Sequence, residues 1–78
     1  MKRITIKFIS IYAEKMGRER VIEVDDNTTI EDLERMILEE LGETRIKPVF
    51  FVNYRFPSKG QILRDGDEIL VMPPFAGG

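Results

Sequence analysis

The sequence predicts an α+β fold, a mixed sheet with one main helix packed on one of its faces. Near the start, Ile4, Ile6 and Phe8 alternate with Arg3, Thr5 and Lys7, the period of a strand with one dry and one wet face. In the middle, Ile30, Leu33, Ile37 and Leu41 recur at helical spacing on one stripe. Further on, the β-prone run 49–52 and a second at 69–71 supply strands after the helix. Strands on both sides of a single amphipathic helix argue for a helix layer on a sheet layer.

The elements follow in order. After the first strand, "SIYAEKMGRE" breaks the alternation, and Tyr12, Ala13 and Met16 line one side of a short helical turn that stops at Gly17. "ERVIEV" resumes alternation, with Ile22 and Val24 set against Glu23. Asp25, Asp26 and Asn27 favour a loop, because their side chains bond locally to backbone. Thr29 is a good N-cap for the main helix, expected over 29–41, since its hydroxyl accepts from a free N–H of the first turn. Glu31 and Asp32 then sit at the positive end of the helix dipole. Met36 and Leu38 are expected to widen the apolar stripe, and Gly42 to end the helix. Pro48 suits a strand start, but four consecutive apolar residues at 49–52 leave open which of them face the core. Asn53 and Tyr54 predict a bend, residues 57–60 a loop, and Ile62 with Leu63 a brief return to the core. An Asp65-Gly66 turn precedes the last strand. A β-grasp arrangement fits this order, with the first and last strands adjacent and parallel at the sheet centre. The expected division is a β-grasp domain over 1–72 and an extended tail over 73–78.

Composition narrows the function. Seventy-eight residues allow one modest core, near the size at which a chain just stabilises itself without staples. The absence of cysteine and histidine removes disulfides, thiolate zinc sites, the commonest metal ligand and the usual general base. Twelve basic against fourteen acidic residues give a net charge of −2, without the basic footprint of a nucleic-acid binder. No stretch approaches the length of a membrane span. Lys7 interrupts the apolar run that a secretory leader needs, so a cytoplasmic protein is expected. The acidic pairs Asp25/Asp26, Glu39/Glu40 and Asp67/Glu68 read as turns and solvated faces, and Ser10 and Ser58 have no base nearby in sequence. No nucleophile–base arrangement stands out, and no metal site is expected.

The remaining feature is the ending, "MPPFAGG". Gly-Gly adds nothing to a core and has the largest backbone entropy to lose on ordering. Pro73 and Pro74 have fixed φ and no N–H, so they carry the chain off the last strand in a stiff, extended direction. Set beside "TIEDLERMI" at 29–37, "AEKMGRE" at 13–19 and Asp65-Gly66-Asp67-Glu68-Ile69, this ending resembles that of the MoaD/ThiS family of ubiquitin-like sulfur carriers, over the whole chain. The double proline is more like molybdopterin synthase small subunits than ThiS, and small ubiquitin-like modifiers of bacteria and archaea share the same ending. Residues 53–61 depart from the Asn-Gly turn of many relatives.

The resemblance implies a chemistry for the glycines. An E1-like adenylating enzyme (MoeB-like) uses ATP with Mg to convert the Gly78 carboxylate to an acyl-adenylate. A sulfur donor then yields a thiocarboxylate, which a synthase large subunit (MoaE-like) uses for molybdenum cofactor biosynthesis. Pro73, Pro74, Phe75, Ala76 and Gly77 become the segment that enters the partners, where glycine permits close backbone approach. The chain itself then binds no cofactor and has no active site of its own; within a synthase the second subunit supplies the chemistry. Three alternatives stay open: a modifier joined to lysines through Gly78, a ThiS-like carrier for thiamine biosynthesis, and a binding module with an inert tail. So does the placement of Phe75, in a partner or folded back on its own domain.

Overall fold

Alternation at Ile4, Ile6 and Phe8 builds the first strand, β1 (Lys2–Phe8), with all three side chains buried. The structure, a computed structural model, describes residues 1–74. The chain continues through α1 (Ile11–Met16), β2 (Glu19–Val24), α2 (Ile30–Leu41), β3 (Val49–Val52) and β4 (Glu68–Met72). Among the described residues, the strands form one sheet in the order β2-β1-β4-β3. β1 pairs antiparallel with β2 and parallel with β4, and β3 pairs antiparallel with β4. The first and last strands therefore lie side by side at the centre, as the β-grasp arrangement requires.

One face of this sheet is dry. Ile4, Ile6 and Phe8, Phe50 and Val52, and Ile69 and Val71 are all buried in one cluster with Ile30, Leu33, Ile37 and Leu41 of α2. Pairing with β4 resolves the ambiguous run of β3: Phe50 and Val52 face in, Val49 and Phe51 face out. Tyr12 and Met16 of α1 close one end of the core, and Leu63 is also buried.

Three expectations need correction. Ile62 does not return to the core; it is 51% exposed, whereas Leu63 is fully buried. Residues 61–63 run briefly alongside the start of α2, with Ile30 N donating to Gln61 O at 2.8 Å and Leu63 N to Thr28 O at 2.9 Å. That strand-like pairing turns successive side chains to opposite sides, so only one of the two points inward. Met36 does not widen the stripe either, being 43% exposed on its shoulder, and Leu38 is half-buried. Asp67 is not solvated. It is buried at 7% exposure, and its carboxylate accepts from Asn53 Nδ2 at 2.9 Å and Arg64 N at 2.7 Å. A buried carboxylate needs such partners, and here it ties the turn before β4 to the turn after β3.

The start of α2 is a capping box. Asp32 N donates to the Thr29 hydroxyl at 3.2 Å, and Thr29 N donates to Asp32 Oδ2 at 3.0 Å. Glu31 accepts from Gly60 N at 2.9 Å, which pins the 57–60 loop to the same helix end. Those backbone bonds, from Thr29 and from Gly60, hold both carboxyls below their ordinary range. A depressed folded-state pKa means that the unfolded chain binds protons first on acidification. The contribution of these groups is thus complete above the ordinary carboxylate range and is lost as pH falls through the lowered values. Asp32→Asn keeps an oxygen acceptor for Thr29 N, so we expect a shallower loss of melting temperature below about pH 4, near the ordinary carboxylate range. Melts at several acidic pH values check this, and an unchanged pH slope would refute the assignment.

Candidate partner interface at the exit of the last strand

β4 delivers the chain end to one rim of the sheet. Val71 O accepts from Ile9 N at 3.0 Å, and Met72 lies opposite Val49. Two prolines follow, Pro73 half-buried and Pro74 exposed, and neither offers an N–H with which to extend the ladder. Three segments frame the exit. One is the Ile9-Ser10 corner, where Ser10 takes φ 61°, and another is Arg18, whose carbonyl accepts from Phe8 N at 2.9 Å. The third is the approach to β3, anchored by the Tyr12 hydroxyl donating to Ile46 O at 2.7 Å.

Of the residues expected to act, Pro73 and Pro74 stand at this exit; Phe75, Ala76, Gly77 and Gly78 lie outside the described residues. Chain geometry still limits them. Four residues past Pro74 reach no more than about 13–14 Å. Any protein that engages Gly78 must therefore abut this rim and the surface around it.

The sheet's outer face meets that description. Glu19, Lys7, Leu70 and Phe51 form one cross-strand row, and Met72 and Val49 form the row nearest the exit. Phe51, Leu70, Met72 and Val49 are half-buried, and among the described residues no helix lies above them. Phe56 packs its ring on Phe51, centroids 4.7 Å apart at 44°, and remains 77% exposed. Beside these apolar residues Lys7 Nζ stands 3.3 Å from Glu68 Oε1. The neighbouring Tyr54 hydroxyl, and then Lys7, hold the Glu68 carboxyl below its ordinary range.

Tyr54 was not legible as part of a site. It reaches this face through a two-residue turn closed by Val52 N donating to Arg55 O at 2.9 Å and Arg55 N to Val52 O at 3.1 Å. Asn53 and Tyr54 adopt φ of 51° and 65°. Asparagine tolerates the left-handed region, but for a bulky residue it is an outlier. The available signal was Tyr54 itself, standing where a hairpin turn favours glycine after asparagine.

The described residues contain no cluster of three or more His, Cys, Asp or Glu able to hold a metal ion, and no helix long and apolar enough to cross a membrane. What they do contain is a small ubiquitin-like β-grasp domain, with an apolar outer sheet face beside the exit of its last strand. Residues 6–78 match the ThiS family, and the chain belongs to that family of β-grasp sulfur carriers.

Solved structures share the fold. A Pyrococcus furiosus protein assigned as molybdopterin converting factor subunit 1 superposes with a TM-score of 0.81 at 24% identity, over 96% of this chain and 100% of that one. Small archaeal modifier protein 1 of Haloferax volcanii gives 0.77 at 21% identity, over 96% and 100%. A chain of the Helicobacter pylori complex of molybdopterin-converting factor subunits 1 and 2 gives 0.67 at 24% identity, over 97% and 99%. A search of curated protein sequences found no match.

Proposed function

We propose that this protein is the sulfur-carrying small subunit of a molybdopterin synthase, acting in the cytoplasm through the carboxylate of Gly78. The observation that carries the reading is the outer sheet face: Leu70 and Met72 point out of the same strand that delivers the double-proline tail. A carboxylate is a poor acyl donor because its carbonyl is stabilised by resonance and oxide is a poor leaving group. An E1-like partner removes the difficulty. The Gly78 carboxylate attacks the α-phosphate of ATP and pyrophosphate leaves; sulfide supplied by the sulfur donor then attacks the acyl carbon and expels AMP, leaving the thiocarboxylate. The thiocarboxylate sulfur passes to a cofactor precursor held by the large subunit.

Energetics require the sheet face as well as the tail. Ordering each tail residue costs about 1–2 kcal/mol. Burying Phe75 in a partner returns roughly 1.5–3 kcal/mol, less than four ordered residues cost. The deficit falls to Phe51, Leu70 and Met72. Phe75→Ala should weaken association with the large subunit while leaving the melting temperature unchanged. A sharp loss of thermal stability would instead mean that Phe75 folds back on its own domain.

Similarity to a small archaeal modifier favours a second reading, in which activated Gly78 forms an isopeptide bond with a lysine. Intact mass of the protein from its native cells separates the two. Exchange of one oxygen for sulfur at the terminus supports the carrier; lysine-branched peptides ending in Gly77-Gly78 support the modifier. An unmodified terminus in cells with active sulfur metabolism would defeat both.

A further inference from the structure

β2 closes one side of the sheet, and its outward edge is open. Phe8 N donates to the carbonyl of Arg18 at 2.9 Å, directly across the ladder. Bonded and non-bonded pairs alternate in an antiparallel ladder, so Arg20, Ile22 and Val24 bond back to β1. Thr5 N donating to Asp67 O at 3.1 Å, and Gly66 N to Arg3 O at 2.9 Å, give the same alternation from the β4 side. The N–H and C=O groups of Glu19, Val21 and Glu23 therefore point away from β1, and among the described residues no strand pairs with them. The strand keeps one register along its length, with neither the proline nor the bulge that can blunt such an edge.

The side chains along this edge are selective. Glu19, Val21 and Glu23 share one face, with Val21 53% exposed between two exposed acids. Among the described residues neither glutamate belongs to an ion pair, and Lys7, opposite Glu19, is held by Glu68 at 3.3 Å. On the other face Arg20 reaches α2, its Nη1 donating to Glu40 Oε2 at 2.7 Å. Two residues onward in β2 and four residues back in α2 both cover about 6 Å. Exposed Met36 thus stands level with half-buried Ile22, an apolar wall beside the open backbone. A second copy of the chain does not fit. Two such edges centred on Val21 set glutamate against glutamate at both ends, and centred on Arg20 they set arginine against arginine; like charges directly opposite are destabilising.

We propose that the free edge of β2 is a strand-addition site for an extended basic segment of a partner protein, with lysine or arginine at two positions four apart, opposite Glu19 and Glu23. Apolar residues between them meet Val21 on one face and the Ile22–Met36 wall on the other. Main-chain bonds at Glu19, Val21 and Glu23 hold the segment, and the two glutamates select it. β1 already carries the matching pattern, since Lys7 and Arg3 lie opposite the same glutamates on the inner side. The inference stands apart from the chemistry of Gly78, because β1 separates this edge from β4.

The test titrates the full-length, isotope-labelled protein with the peptide Thr-Lys-Val-Val-Thr-Lys-Thr and follows amide NMR shifts and hydrogen exchange. The amides of Glu19, Val21 and Glu23 should shift and gain protection, while those of Phe51 and Leu70 stay unchanged. Glutamate in place of both peptide lysines should weaken binding about tenfold or more. Glu19→Gln combined with Glu23→Gln should fold normally, both side chains being exposed, and lose that discrimination. Methylating the peptide nitrogen opposite Val21 should abolish binding, whereas methylating the next nitrogen, which points to solvent, should not. Absence of binding at millimolar peptide would overturn the proposal, as would equal binding of the lysine and glutamate peptides by wild type, or shifts confined to other residues. Concentration-dependent protection of the three amides without peptide would put a second copy at the edge and overturn it likewise.

Discussion

Deletion of Gly78 is expected to abolish ATP-dependent adenylation and to leave the melting temperature where it was. The reacting carbonyl is then withdrawn by one residue, up to about 3.3–3.6 Å of extended chain. Reacting atoms must approach within roughly 3–3.5 Å, and a misplacement of about 1 Å already costs on the order of a hundredfold. Gly77→Ala is the milder companion: the chain length is kept, and a methyl group is added to the segment that, on the proposed function, enters the partner. It should react slowly and fold normally. The assay is adenylate formation with the cognate E1-like enzyme, comparing wild type, the deletion and Gly77→Ala. A deletion variant adenylated at the wild-type rate would remove Gly78 from the mechanism.

Leu33→Ala should produce the largest loss of stability. Leu33 is fully buried, in the same core cluster as Ile4, Ile6, Ile37 and Ile69. A buried Leu-to-Ala change costs about 2–5 kcal/mol, from lost transfer energy and the cavity left behind. At ~0.05–0.15 kcal/mol per residue, a chain of this size holds only about 4–12 kcal/mol in total. The substitution therefore takes a large share and, at the weak end, unfolds the protein. Each kcal/mol corresponds to roughly 4–8 °C in a domain of 60–100 residues. A thermal melt lowered by less than about 5 °C would place the centre of the core elsewhere.

How much of this was readable beforehand depended on the range of the interactions involved. The alternation of Ile4, Ile6 and Phe8 and the stripe of α2 are local periodicities, and Thr29 caps through a residue three positions away. Those features emerged as expected. β3 was ambiguous because an apolar run carries no alternation, and only its register against Ile69 and Val71 selects Phe50 and Val52. Ile62 was misplaced because its orientation comes from a short pairing with the start of α2, invisible as a pattern. Asp67 looked like one of two adjacent turn acids, yet its partner Asn53 is fourteen positions away. The same limit hid the candidate surface. Lys7, Phe51, Tyr54, Glu68 and Leu70 are scattered in sequence and meet only once β1, β4 and β3 are aligned.

The parallel pairing of β1 with β4 also has a mechanical meaning. The two strands run the same way, so the amino end of β1 and the carboxyl end of β4 lie at opposite ends of the sheet. Tension between the tail and the start of the chain therefore acts along the strands. It loads the hydrogen bonds that join Thr5 through Phe8 to Glu68 through Val71 together, in shear, and cannot peel them apart one at a time. Resistance to forced unfolding is set by the unfolding rate, and a sheared ladder offers no easy first step. A load applied between the two chain ends thus runs along the direction in which a hydrogen-bonded pair of parallel strands yields least.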